Sequence, residues 1–209
     1  MGKTAVHGPL IGIEFAHQDY LLRAAIEKRI DMIFDVAKQL QTTRVVLHTG
    51  YTLETKSLGL EEKWYKRNVE YWKHEIGRWE GAGIEIVLEN VVESSPDLIT
   101  SLVTEVNNSY LGLCLDIGHV HYFSKESLPT WIMKMGKMLK HVHVHDNDGK
   151  ADRHWSIGRG NIDFEEFYKA IEENAPQVTL SLEVVATMEK NMGDLKKMKE
   201  RIMKGKETT

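Results

Sequence analysis

The sequence predicts an α/β protein with a parallel β-sheet. Short apolar runs alternate with longer amphipathic segments along all 209 residues. A helix that follows a strand carries the chain back across the sheet, so this alternation is typical of parallel strands. The runs at residues 45–47, 84–88 and 111–115 are almost continuously apolar. Such runs are expected of strands that are covered on both faces.

The first half of the chain contains three predicted strands and two predicted helices. The strands are residues 4–7, 44–48 and 84–89, and the helices are residues 19–40 and about 59–81. Both helices place apolar side chains at the spacing of one helical face. We interpret Trp64, Trp72 and Trp79 as packing residues, and Gly81 as the residue that caps the second helix.

The second half contains three further strands and four further helices. The strands are residues 111–116, 141–145 and 177–183, and the helices are residues 94–108, 127–140, 163–173 and 188–204. Ser94 and Asp163 carry oxygens that accept hydrogen bonds from the free amides of a helix N-terminus, so we expect both to act as caps. Pro96 suits the first turn of its helix.

Histidine alternates with valine in the fifth strand, His141-Val-His-Val-His145. Alternate side chains of a strand share one face, so His141, His143 and His145 point the same way. Asp152 and His154 follow in the next loop. Neutral imidazoles and carboxylates are ligands of zinc and manganese, so this stretch is a candidate metal site.

Each predicted strand ends at, or just before, a side chain that binds metals in other proteins. These strand-end residues are His7, His48, Glu89, Asp116, the histidines of the fifth strand and Glu183, and His119 follows the fourth strand. Equivalent ends of parallel strands meet at one mouth of a barrel. The pattern therefore predicts a metal site at that mouth.

The composition fits one globular domain, which we predict to span residues 1–209. Hydrophobic residues make up 42% and charged residues 28% of the chain. The net charge of -4 argues against a broadly basic nucleic-acid surface, although it leaves room for a local basic patch. Cys114 is the single cysteine, and the sequence has neither a signal-peptide pattern nor an apolar run of about 18 residues. We therefore predict a cytoplasmic protein.

An ordered series of motifs resembles the xylose isomerase-like TIM barrel superfamily, which includes sugar isomerases and epimerases as well as endonuclease IV (AP endonuclease family 2). The motifs are His7-Gly-Pro, Val-Leu-His48-Thr-Gly, Val-Leu-Glu89-Asn, Leu-Asp116-Ile-Gly-His119, His143-Val-His-Asp, Asp152-Arg-His154 and Leu-Glu183-Val. The resemblance covers nearly the whole chain and implies a TIM-barrel-like parallel (β/α) barrel.

The chain departs from that superfamily at its beginning. Members usually start with two more strand–helix units before the strand that matches residues 4–7, so six of eight strands are visible here. Either an N-terminal segment is absent from this version of the protein, or the sheet closes in another way. An open sheet would leave two bare strand edges, so we also predict a homodimer.

The resemblance also implies a ligand set. A central divalent ion, zinc or manganese, would be held by Glu89, Asp116, His143 and Glu183. In the nuclease, further ions use the positions that match His7 and His48, with Glu89 bridging, and His119, Asp152 and His154. The site would thus hold one to three ions. The His-x-x-Asp pattern of the family favours His143 over His145, and His141 is expected to lie deeper, as a core or lining residue.

Three functions fit these observations. The first is a metal-dependent isomerase or epimerase that acts on a small sugar or sugar phosphate through an enediolate, with Glu89 and Glu183 transferring protons. His119 and Arg153 would hold hydroxyl or phosphate oxygens, unless Arg153 only faces solvent. The second is phosphoester hydrolysis of the endonuclease IV type, and the third is a non-catalytic metal-binding protein used in assembly.

We rank the isomerase first and expect a small carbohydrate, rather than DNA, as the partner. The loops after His7 and Glu89 are short, and Leu10 occupies the position at which the nuclease carries a DNA-penetrating tyrosine. DNA binding also needs many phosphate contacts, which an acidic chain is poorly suited to make.

Overall fold

The computed structural model describes residues 4–207, including the side chains of residues 4–201. The strands are β1 Ala5–His7, β2 Arg44–His48, β3 Glu85–Glu89, β4 Leu111–Asp116, β5 Leu139–Val144 and β6 Thr179–Leu182. The helices are α1 Tyr20–Gln39, α2 Leu53–Ser57, α3 Glu61–Gly81, α4 Asp97–Val106, α5 Ile117–Phe123, α6 Leu128–Met135, α7 Phe164–Asn174 and α8 Met188–Glu207. The predicted alternation of six strands with helices is confirmed, and α2 and α5 are additional helices.

The described residues divide into two compact units, and the boundary falls inside β4. Unit one contains the chain up to Val92 together with Pro96–Cys114. Unit two contains Glu93–Ser95 and the chain from Leu115 onward. The single domain over residues 1–209 stays a prediction.

The sheet of unit one is parallel and follows the order of the chain. β1 pairs with β2, β2 with β3, and β3 with β4. Val46, Val87 and Cys114 form a buried cluster between these strands. The register places His48 directly opposite Glu89. Two of the predicted site residues are therefore neighbours at the carboxyl end of this sheet.

Helix α3 supplies much of the core of unit one. Trp64, Trp72 and Trp79 are all buried, so their interpretation as packing residues is confirmed. Phe15 contacts Trp72 with ring centroids 4.9 Å apart, and Phe34 contacts Trp79 at 4.8 Å. Both pairs meet edge to face, a favourable arrangement for aromatic rings.

Two predicted helix caps are wrong. Gly81 is the last residue of α3, and Ala82 is the C-cap. The glycine that the turn requires is Gly83, whose φ of 71° lies in the left-handed region that favours a residue without Cβ. Ser94 does not cap α4, because that helix begins at Asp97 with Pro96 as its N-cap and without a side-chain cap bond.

Unit two contains a parallel pair of strands, β5 and β6, in which His143 lies opposite Ser181. The predicted helix over residues 127–140 is wrong at its C-terminal end. Ser127 caps α6 as a helix start requires, but the helix ends at Met135, and its C-cap is Gly136 with a φ of 48°. A 3₁₀ turn, Gly136–Met138, then leads into β5. Asp163 caps α7 through its side chain, as predicted.

No helix within residues 4–207 is long and apolar enough to cross a membrane.

Candidate metal centres

The carboxyl ends of β1, β2 and β3 bring three predicted ligands together in unit one. The carboxylate of Glu89 is fully buried, with 0% of the residue exposed. Its Oε2 lies 2.9 Å from His7 Nε2 and 3.7 Å from His48 Nε2. The two imidazole rings meet edge to face, with centroids 5.3 Å apart. We name His7, His48 and Glu89 the unit-one triad.

The contacts of the two His7 ring nitrogens indicate that the unit-one triad needs an additional positive charge. His7 Nδ1 lies 2.9 Å from the carbonyl oxygen of Gly8, which can only accept a hydrogen bond. A neutral imidazole has one N–H group, so its Nε2 would then face the Glu89 carboxylate with a lone pair. Either a second proton on His7 or a bound cation resolves that repulsion. The triad therefore fits a divalent cation.

A second group of ligand types lies entirely within unit two. Asp152 Oδ2 lies 3.2 Å from His119 Nε2 and 3.0 Å from His154 Nε2. His145 Nε2 lies 3.7 Å from the other oxygen of Asp152. One donor atom from each of these residues falls within 4.8 Å of the others. We name His119, His145, Asp152 and His154 the unit-two cluster.

Backbone contacts hold the unit-two cluster in place. Asp116 caps α5 by accepting a hydrogen bond from the backbone N–H of His119 at 2.7 Å. The Nδ1 of His154 lies 2.8 Å from the backbone oxygen of Glu183. His154 adopts a φ of 47°, a conformation that a non-glycine residue rarely takes. The surrounding contacts therefore fix this histidine in a strained backbone position.

The charges of the unit-two cluster are strongly coupled. Burial opposes ionisation of Asp152, but hydrogen bonds and charge attraction from His119 and His154 outweigh burial and hold its pKa well below the usual range. The hydrogen bond to Asp152 outweighs burial of the ring and raises the pKa of His154 to about 9. Without a metal, the carboxylate thus keeps a proton on its histidine partner at neutral pH.

Three more predicted ligands, Asp116, His143 and Glu183, belong to unit two. His143 Nδ1 lies 3.0 Å from Glu183 Oε2. This contact follows from the β5–β6 register, which ends with Val144 opposite Leu182, one residue before Glu183. Asp116 is fully buried, and its Oδ1 lies 2.9 Å from His145 Nε2. The shared ligand set of Glu89, Asp116, His143 and Glu183 stays a prediction.

The structure also shows where His141 and Arg153 lie. His141 is buried and lies 2.6 Å from the Thr179 hydroxyl and 3.1 Å from the Ser181 hydroxyl. It is thus a lining residue between β5 and β6, as expected. Arg153 is half-exposed, lies 4.0 Å from Asp148 and packs its guanidinium over the ring of Trp155. Its role in binding substrate stays a prediction.

His145 is the residue of the unit-two cluster that our choice of ligands missed. It is fully buried, and its ring stacks on that of His154 with centroids 4.0 Å apart and planes 16° from parallel. A Cβ at position 118 would collide with this ring, so Gly118 provides the space for His145. The available signals were the shared strand face of His143 and His145 and the glycine in Asp116-Ile-Gly-His119.

Unit one also contains a cavity of about 680 Å³ beside the triad, because His48 is part of its wall. Apolar side chains dominate the rest of the wall, and Tyr51, Glu14 and Arg29 supply polar groups. Leu10 also lines the cavity. Small-molecule sites in proteins are typically cavities of about 300–1,000 Å³ with mostly apolar walls and a few polar groups.

Comparison of the whole sequence with known proteins finds the same family that the motifs resemble. The family described as Xylose isomerase-like TIM barrel matches residues 3–202. The chain is 29% identical over 205 residues to the uncharacterised protein MJ1311 of Methanocaldococcus jannaschii, covering 95% of this chain and 68% of that protein. It is 25% identical over 166 residues to fructoselysine 3-epimerase of Escherichia coli O157:H7, covering 75% of this chain and 58% of that enzyme.

Solved structures share the fold. A D-tagatose 3-epimerase-like protein matches with a TM-score of 0.83 and 25% identity, covering 99% of this chain and 79% of that one. The protein TTHB071 of Thermus thermophilus, soaked with ZnCl2, matches with a TM-score of 0.76 and 24% identity, covering 96% and 78%. The chain spans 55% to 68% of the length of the curated relatives that it matches.

Proposed function

Because the chain belongs to the xylose isomerase-like TIM barrel family, we propose that it is a metal-dependent isomerase or epimerase of a small sugar or sugar phosphate. The observation that carries the proposal is that Glu89 and Glu183, at the ends of two strands, each lie within about 3 Å of an imidazole. Glu89 faces His7 at 2.9 Å, and Glu183 faces His143 at 3.0 Å. A carboxylate and an imidazole at each strand end suit both metal binding and proton transfer.

The two glutamates would transfer the proton. One carboxylate takes the proton from the carbon beside the substrate carbonyl, and the electron pair of the C–H bond passes into an enediolate. The other carboxylate returns a proton to the opposite face of that carbon, which inverts its configuration. A bound divalent cation supplies the positive charge that stabilises the oxygens of the enediolate.

The proposed ligands of that cation are the family set, Glu89, Asp116, His143 and Glu183. Their chemistry fits, because imidazole nitrogens and carboxylate oxygens suit zinc and manganese. A relative of the same fold has been soaked with ZnCl2. The unit-one triad and the unit-two cluster offer donors for further ions, so we propose one to three ions per chain.

The cavity beside His48 supports a small-molecule substrate. Its volume of about 680 Å³ suits a compact ligand, and its largely apolar wall is a poor partner for a DNA backbone. Fructoselysine 3-epimerase and the D-tagatose 3-epimerase-like protein are relatives whose names point to a ketose or a substituted ketose as the substrate. His119 and Arg153 are proposed to hold its hydroxyl or phosphate oxygens.

Phosphoester hydrolysis is the second candidate, favoured by the unit-two cluster. A family nuclease uses the positions of His119, Asp152 and His154 for an additional ion, and these side chains are already grouped here. Against hydrolysis of nucleic acid, the chain carries a net charge of -4, and Leu10 lines an apolar cavity. The isomerase therefore remains the first proposal.

Exchange of substrate hydrogen with solvent tests the choice directly. The zinc- or manganese-loaded protein is incubated in heavy water with D-tagatose, D-fructose and fructoselysine, and proton NMR follows the C3 hydrogen. We expect exchange with at least one of these ketoses. Glu89→Gln and Glu183→Gln should slow it about 10²-fold or more, because each removes a proton-transferring group.

Glu62→Gln is the matched control, because Glu62 is an exposed glutamate on α3 that pairs with Lys66. It should exchange at the parental rate. Efficient incision of a duplex that contains an abasic site, without exchange in any of the three ketoses, would reverse the ranking in favour of the hydrolase.

A further inference from the structure

The loop between β5 and α7, residues 145–163, is described throughout and contains no helix or strand. It nevertheless carries Asp152, Arg153 and His154 of the proposed site. We propose that Asp146 is a positioning residue, whose buried carboxylate fixes the conformation of this loop and thereby places those three side chains. The inference rests on the proposed function, because the three side chains belong to that site, but Asp146 itself touches neither the substrate nor a metal ion.

The first support is the set of hydrogen bonds that the carboxylate of Asp146 accepts. The residue is fully buried, with 0% of it exposed. Its Oδ2 accepts the backbone N–H groups of Gly158 at 2.9 Å and Gly160 at 2.8 Å, and its Oδ1 accepts that of Ile162 at 3.3 Å. A buried carboxylate is costly unless donors satisfy it, and three amides on one carboxylate stabilise its charge. These bonds therefore tie residues 158–162 to Asp146.

The second support is the backbone of Asp146, which closes the segment that carries the three side chains. The N–H of Asp146 donates to the carbonyl oxygen of Trp155 at 2.8 Å, and the N–H of Trp155 donates to that of Asp146 at 2.9 Å. Residues 147–154 lie between these two partners. The guanidinium of Arg153 packs over the ring of Trp155, with its central carbon 5.7 Å from the ring centroid. Asp146 thus anchors both the base of this segment and the stretch that follows it.

The third support is the close approach of the loop backbone to Asp146. A Cβ at position 160 would collide with the Asp146 carboxylate and with the carbonyl oxygen of Asn147, so Gly160 provides the space for both. Gly158 adopts a φ of 81°, in the left-handed region that favours glycine. The side chain of Asn147 donates to the carbonyl oxygen of Gly118 at 2.9 Å, which joins the loop to α5. Glycine therefore occupies both positions whose amides meet Oδ2 of Asp146.

The strained backbone of His154 shows why the loop needs this anchor. Its φ is 47°, and a conformation of this kind persists only where the surrounding contacts determine it. Without the Asp146 carboxylate, three amides would lose their acceptor and the loop would relax. The elements at the two ends of the loop carry buried side chains of their own, such as Val142 in β5 and Phe167 in α7. We therefore expect the site side chains to lose their positions while the fold persists.

Zinc binding to the unit-two cluster tests this role without any sugar. The zinc equivalent that is lost in His154→Ala identifies the cluster, and cobalt in its place reports the ligand geometry through its visible spectrum. Asp146→Ala should weaken that equivalent by about 10-fold or more and alter the cobalt spectrum, as is usual when a contact that orients metal ligands is removed. Asp146→Asn should restore most of the affinity, because its carbonyl oxygen can still accept from Gly158 and Gly160.

Two further variants separate this role from a general loss of stability. Asp163→Ala is the matched control, because this carboxylate lies at the end of the same loop and accepts the N–H of Glu166 at 2.9 Å as the cap of α7. It should lower stability but leave the zinc affinity at the parental value. Gly160→Ala should reproduce the Asp146→Ala result, because the added Cβ pushes the backbone away from the carboxylate. Circular dichroism shows whether each variant is folded, and Gly160→Ala decides if Asp146→Ala does not fold.

Exchange of the C3 hydrogen then separates substrate binding from proton transfer. Asp146→Ala should raise KM for the best ketose by about 10-fold and change kcat less, because it displaces Arg153 and leaves the two proton-transferring glutamates at their strand ends. An unchanged KM beside a lowered kcat would contradict the placement of Arg153. If the parent exchanges no ketose, the proposed function fails, and the zinc results alone decide the role of Asp146.

Three zinc results would refute the positioning role. The first is a folded Asp146→Ala variant that keeps the parental zinc affinity and cobalt spectrum. The second is an Asp163→Ala variant that loses as much zinc affinity as Asp146→Ala. The third is a parent protein that binds no zinc through His154.

Discussion

At the scale of single residues, one carboxylate determines the charge state of its neighbours. Asp152 accepts from both His119 and His154, and this arrangement lowers the pKa of the carboxyl and raises the pKa of His154 to about 9. His145 stacks on His154, and the backbone oxygen of Glu183 holds the far side of the His154 ring. A metal that binds here must therefore compete with a proton.

The pH dependence of zinc binding follows from that competition. Zinc takes the neutral imidazole, and His154 keeps its proton below about pH 9. Zinc affinity should therefore fall as the pH drops from 9 to 7, by up to about tenfold per pH unit for each proton displaced. Calorimetry in buffers of different ionisation enthalpy measures the released protons. Binding heats that are the same in all buffers at pH 7.5 would contradict the coupling.

Most of the side chains that the structure groups in the unit-one triad and the unit-two cluster are ones that the sequence analysis names as candidate ligands, and His145 is the exception. His7, His48 and Glu89 could be found because each ends an apolar strand, and parallel pairing then brings them together. His145 was passed over because a family pattern favoured His143, although both lie on one strand face. Deciding between them requires the position of Gly118 against the His145 ring, which only the folded chain provides.

At the scale of secondary-structure elements, strands were easier to predict than short helices. β2 and β4 have their predicted bounds, because their apolar runs end abruptly at His48 and Asp116. α5 was missed because a helix of seven residues with a glycine and two histidines has no long apolar stripe. The one feature of the sequence that indicates the start of α5 is Asp116, whose carboxylate caps the helix. Gly136 ended a predicted helix early through its positive φ.

The aromatic face of α3 carries a prediction about stability. Trp72 is fully buried and contacts Phe15. Trp72→Ala should lower the free energy of unfolding by about 3–5 kcal/mol, because it removes a large buried side chain and leaves a cavity. Urea unfolding monitored by circular dichroism measures the change. Lys63→Ala, at an exposed position of the same helix, should change it by less than about 0.5 kcal/mol, and an equal loss in both variants would contradict the packing role.

At the scale of the whole molecule, exposed apolar side chains support the predicted homodimer. α1 exposes Leu21 and Met32, and α8 exposes Met188 and Met192. Apolar side chains grouped on a helix face often mark interfaces. The dimer itself stays a prediction. Its other basis is that an open sheet would leave two unpaired strand edges.

Sedimentation velocity over a hundredfold range of concentration tests the dimer. We expect a dimer at micromolar concentration, because burial of these faces would offset the cost of association. Met188→Glu with Met192→Glu should shift the population toward the monomer if α8 takes part. A stable monomer over the whole range, with slow amide exchange in β1 and β6, would contradict the predicted dimer.

The proposed chemistry needs a bound metal for proton transfer at a sugar carbon, and metal removal tests this need most directly. The protein is treated with a chelator, dialysed and then assayed for exchange of the C3 hydrogen of the best ketose in heavy water. We predict that exchange stops in the metal-free protein and returns when zinc or manganese is added. The predicted loss reflects the missing positive charge that stabilises the enediolate. Exchange at the parental rate in folded protein that contains less than about 0.05 metal equivalents per chain would contradict the account.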